Sequence, residues 1–68
     1  MLREAFENVL PYITNLSRLK SFVEENEGKS IEEIKRIIEE EIRRANGTLR
    51  TDFKILLNEL EKTINKRM

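Results

Sequence analysis

The sequence predicts an all-α fold, an antiparallel three-helix bundle running up, down and up, and three observations carry that reading. Apolar residues recur at helical spacing throughout, two glycines divide the chain into three such segments, and the connections at those glycines are short enough to force neighbouring helices to run antiparallel. No stretch shows the alternation of a half-buried strand, and there is no internal repeat or low-complexity tract. At 68 residues the chain has room for one domain, 1–68, with one small core.

The first helix is expected over about 2–27. Leu2, Val9, Leu16 and Val23 recur every seventh residue, Ala5, Tyr12 and Leu19 follow three positions behind, and Phe6 and Ile13 widen the stripe. Tyr12 falls among core positions, with its hydroxyl at the rim. Because the apolar register continues across Pro11, a kinked helix or two abutting ones is expected there, with a break near Asn8 as the alternative. Gly28 sits where a helix stop calls for a left-handed residue.

Ser30-Ile31-Glu32-Glu33 reads as a capping box that opens a second helix over about 31–45, its inner face made by Ile31, Ile34, Ile38, Ile42 and Ala45. Asn46-Gly47 ends it. The third helix is expected over about 49–66 with Thr48 as its cap, Asp52 in its first turn, and Leu49, Phe53, Leu56, Leu57, Leu60 and Ile64 facing inward.

Composition excludes most chemistry. There is no His and no Cys, which removes the usual nucleophiles, the usual neutral-pH acid–base group and any plausible zinc site, so the chain reads as a non-enzyme with no cofactor, no metal and no small-molecule substrate. Glu32, Glu33, Glu39, Glu40 and Glu41 lie around the outside of one helix and read as a solvated face. Gly28-Lys29-Ser30 shares the end of a phosphate-binding loop, but Val23 stands where its other glycine belongs and no strand precedes it. The charge balance of 13 basic against 13 acidic residues argues against a globally nucleic-acid-binding or membrane-binding surface. The longest uncharged run, Val9 to Ser17, is too short to span a bilayer, and Met1-Leu2-Arg3-Glu4 lacks the order of a signal peptide, so the expected location is the cytoplasm.

Two functional readings remain. A helix over 2–27 would span about 40 Å against roughly 20 Å for the second, so part of it would overhang. Phe6 and Leu10 in that overhang, with Phe22 and Ile55 off the main stripes of their helices, are the expected self-association surface of a protein-interaction or regulatory module, a small adaptor or inhibitor that pairs with a second copy and with another protein. The alternative is a small nucleic-acid-binding regulator. There Arg43, Arg44, Arg50 and Lys54 gather at a glycine turn between two helices, which matches a helix-turn-helix in part. Cations in the last turn of a helix also arise simply by complementing its dipole.

Overall fold

The computed structural model describes residues 1–67, with side chains described through residue 66. Its elements are α1 (Leu2–Val9), a 3-10 turn (Leu10–Tyr12), α2 (Leu16–Asn26), α3 (Ile31–Arg44) and α4 (Gly47–Arg67). The described regular structure is all helical, but four helices replace the three expected, because the segment over 2–27 is two helices separated by an extended link. Pro11 is the cause: it has no N–H to return to the preceding turn, and its ring crowds the carbonyl four residues back. The chain tightens into the 3-10 turn, with Leu10 N–H donating to the Glu7 carbonyl and Ile13 N–H to the Leu10 carbonyl, and then extends at Ile13. Pro11 takes the start of that turn, where a missing donor costs nothing.

The break folds α2 back along α1 rather than extending it. The Arg3 guanidinium, at the start of α1, makes a two-pronged bond to the Glu27 carboxylate just beyond the end of α2, at 2.8 and 3.1 Å. The long overhang therefore does not form, and the greatest extent of the molecule is 33 Å, close to the length of α4 alone.

Other local expectations divide. Ser30 Oγ accepts from the Glu33 N–H at 3.2 Å and caps the start of α3, which is the serine half of the expected capping box. Gly28 does not take the left-handed conformation; α2 instead ends through Asn26, whose carbonyl accepts from Lys29 N–H and whose side-chain oxygen accepts from Lys29 Nζ at 2.8 Å. Gly47 is the glycine that needs its freedom, at φ +60°. It begins α4 one residue ahead of Thr48, which puts Thr48 inside the helix rather than at its cap and Asp52 beyond its first turn.

α4 is the centre of the packing, lying against α1 on one side and α3 on the other. Contacts at both ends give the directions. Arg50 meets Ile42 while Glu61 meets Lys35, so α3 and α4 are antiparallel; Asn8 meets Glu59 while Asn15 meets Thr48, so α1 and the link after it also run against α4. The core comprises Leu2, Ala5, Phe6 and Val9 of α1, Leu19, Phe22 and Val23 of α2, Ile34 and Ile38 of α3, and Phe53, Leu56 and Leu60 of α4, with Ile13 and Ala45 from the links. At its centre the Phe22 and Phe53 rings meet edge to face at 5.1 Å, and the Arg18 guanidinium lies 5.5 Å from the Phe53 ring centre while pairing with Glu41 at 3.1 Å.

The accessible surface is 4502 Å², against roughly 4,500 Å² for a folded monomer of this mass. One copy of the chain thus covers its core as well as a free-standing protein does.

Candidate interaction surface at the helix break

The turn that Pro11 imposes decides which apolar side chains reach water. Leu10 is 39% exposed, Tyr12 70% and Leu16 46%, a cluster of large apolar side chains within seven residues of chain around the break. Tyr12 is therefore not the core residue its heptad position implied, because the register it belonged to ends at Val9. Behind it, Val9, Tyr12 and Ile55 form the apolar part of an open groove of about 520 Å³ whose polar part comes from Asn8, Asn58, Glu59 and Lys62. The Asn8 amide donates to the Glu59 carboxylate at 3.2 Å beside it.

Of the four residues expected to mediate association, the structure keeps two at the surface. Leu10 is exposed and Ile55 half-buried at the groove. Phe6 and Phe22 are corrected: both are core, since folding α2 back onto α1 leaves no overhang and places these rings between helices.

What holds the rim in place is a residue whose role the sequence reading missed. The Asp52 carboxylate, 1% exposed, accepts from the backbone N–H of Thr14 at 3.0 Å, from the backbone N–H of Asn15 at 2.7 Å and from the Asn15 side-chain amide at 2.9 Å. The Asn15 amide also donates to Thr48 Oγ1 at 3.2 Å. A broken helix leaves backbone donors without partners, and one carboxylate from α4 takes up two of them across the core. The signal was available: Asp52 lies three residues from Leu49 and four from Leu56, on the buried face of its own helix.

Of the four cations expected to gather at the glycine turn, two are engaged within the chain. Arg43, Arg44, Arg50 and Lys54 are all exposed at the α3–α4 end. Arg44 pairs with Glu41 at 3.0 Å, and Arg50 Nε donates to the Ile42 carbonyl at 3.1 Å, closing the end of α3. The two helices stay side by side from Arg50 to Glu61, whereas a helix-turn-helix crosses at roughly 90–120°. The glutamates of α3 do not converge, and among the described residues no three acidic groups are gathered so as to hold a metal ion. Among the described residues no helix is long and apolar enough to cross a membrane.

The Arg3–Glu27 pair gives a checkable electrostatic signature. The hydrogen bond from Arg3 holds the Glu27 carboxyl below its ordinary range, against the opposing effect of desolvation and with a lesser contribution from the Arg3 charge. A depressed folded-state value means that the pair's contribution is present above the unfolded carboxylate pKa and is lost as pH falls through the folded one. Both side chains are well exposed, so the consequence for stability is slight and salt-sensitive. An NMR titration should show Glu27 protonating below the ordinary carboxylate range and returning to that range in Arg3→Gln; an unchanged midpoint in that variant rules the pairing out.

No curated protein and no solved structure matches the chain. A family model does match, over residues 1–65, so the matched region takes in the helix break, the Asp52 tether and nearly all of α4. The chain belongs to the MJ1579 family.

Proposed function

We propose that the chain is a non-catalytic protein-interaction module that binds through the apolar rim of Leu10, Tyr12 and Leu16 and the neighbouring groove at Ile55. The observation that carries this reading is that three large apolar side chains stand in water on either side of a link whose Thr14 and Asn15 N–H groups are held by Asp52. A side chain presented on a pre-ordered turn gives up little conformational freedom when it docks, so its burial is converted into affinity with little loss. Tyr12 is well suited to such a role, as a rigid aromatic body with a polar tip. The absence of His and Cys from the whole sequence supports the non-catalytic part.

The rim exposes apolar area on the order of 300 Å², the size of an interface centre rather than of a whole interface, which takes about 800 Å² per partner. Self-association built on it is therefore expected to be weak and concentration-dependent, and a second copy is the first partner to test. Light scattering across a wide concentration series should show the mass rising above that of one chain. Leu10→Asp together with Leu16→Asp should hold it at one chain with helical circular dichroism unchanged, since neither side chain belongs to the core. A strict monomer at all concentrations removes the homodimer and leaves a different protein as the partner. Full retention of every binding partner by the double variant would overturn the reading itself.

A further inference from the structure

Asparagine next to glycine has its own chemistry, and the α3–α4 turn places the pair Asn46-Gly47 where that chemistry is least hindered. The backbone nitrogen of an asparagine's successor can attack the side-chain amide carbon: a C–N bond closes a five-membered succinimide, and the side-chain nitrogen leaves as ammonia with the proton given up by the attacking N–H. Water then opens the ring at one carbonyl or the other, to aspartate or to isoaspartate. Three things slow the step: a side chain on the successor, a helix that holds its N–H in a hydrogen bond, and a bound or buried amide.

The six asparagines of the chain divide sharply on these grounds. Asn8 is bonded to Glu59, Asn15 to Asp52 and Thr48, and Asn26 is buried and bonded to the Phe22 carbonyl. Asn58 and Asn65 lie inside α4 and precede Glu59 and Lys66. Asn46 alone lies outside every helix, exposed, with glycine after it. Gly47 is the first residue of α4, so its N–H is one of those a helix leaves without an internal acceptor. Apart from its neighbours along the chain, no heavy atom lies within 4 Å of where its Cβ would be, so that side of the turn is open to water.

We propose that Asn46-Gly47 is a self-modifying site that converts to aspartate and isoaspartate with water as its only co-reactant. The new carboxylate stands at the positive end of α4 and beside Arg43, Arg44 and Arg50, making the basic end of the molecule less basic by one charge. Aspartate fits the existing turn, because only the side-chain amide has changed. Isoaspartate adds a methylene to the main chain between α3 and α4, next to the buried Ala45. The two products therefore separate in effect: the first adjusts charge, and the second loosens the hairpin.

The test is incubation of the intact protein at mildly alkaline pH and 37 °C, with peptide mapping of all six asparagines and an isoaspartyl methyltransferase assay. The expected result is acid formation at Asn46 roughly tenfold or more faster than at any other asparagine, absent in Asn46→Ser, with the isoaspartate fraction melting below Asn46→Asp. Conversion at similar rates across the asparagines, or an Asn46 that stays intact throughout the incubation, overturns the proposal.

Discussion

Asp52→Ala is expected to lose about 3 kcal/mol of stability, a fall of about 15 °C in Tm for a domain of this size. The substitution removes the acceptor for the Thr14 and Asn15 backbone N–H groups and for the Asn15 amide, and it leaves backbone donors facing a pocket that a methyl group cannot fill. An unpaired buried donor costs about 1–3 kcal/mol, and bonds to a carboxylate are stronger than neutral ones, so the loss exceeds that of an ordinary surface change. Asp52→Asn keeps the shape but turns one oxygen into an amide that meets a donor, so about 2 kcal/mol is expected there. Urea denaturation followed by circular dichroism measures both. A loss under about 1 kcal/mol in Asp52→Ala would mean that water or a local shift replaces the carboxylate, and that the break is held by packing alone. Because the same tether fixes the link between Tyr12 and Leu16, Asp52→Asn should also weaken any association through the rim while α3 and α4 stay paired.

Phe53→Ala is expected to abolish the cooperative fold. Phe53 is fully buried, its ring meets Phe22 edge to face and lies beneath Arg18, and it belongs to the helix that both α1 and α3 pack against. Truncating a buried phenylalanine costs about 3–5 kcal/mol, while a chain this short has roughly 3–10 kcal/mol in total. The variant should retain helical signal in the far-ultraviolet but show a broad, non-cooperative melt. Phe53→Leu should stay folded at about 1–2 kcal/mol below the natural protein. A sharp, cooperative transition in Phe53→Ala within about 5 °C of the natural protein would show that the core repacks around the cavity, contrary to the close packing described.

Both predictions rest on α4, and the sequence marks this helix clearly: Leu49, Phe53, Leu56 and Leu60 repeat at three and four residues, and all four pack into or against the core. The start of α3 at Ser30 was equally legible, since a capping box is a local device whose partners lie within four residues. Helical class and the glycine turn at Gly47 followed from the same kind of short-range information.

Pro11 was legible as a disturbance, but not what the chain would do about it. A kink and a full reversal differ little in local cost; which one forms depends on whether partners exist for the backbone groups that a reversal exposes. Those partners come from Asp52, 38 residues beyond Thr14, and no window of neighbouring residues contains both. The interface residues failed to transfer for the same reason. Phe6 and Phe22 looked stranded on a single long helix, and they are core because α2 returns along α1. Tyr12 and Leu16 looked like core in a continuous heptad, and they are exposed because the heptad stops at Val9, whereas Leu10 is exposed as expected.

By itself, then, the sequence determined what depends on neighbours along the chain: the helical class, the capped start of α3, the glycine turn at Gly47, the apolar face of α4 and the lack of His and Cys. Tertiary structure alone decided the number of helices, the exposure of Tyr12 and Leu16 and the partners of Asp52. Helical periodicity reports which side of each piece is apolar. The direction in which two pieces are joined is set by a long-range balance between the carboxylate of one helix and the orphaned donors of another.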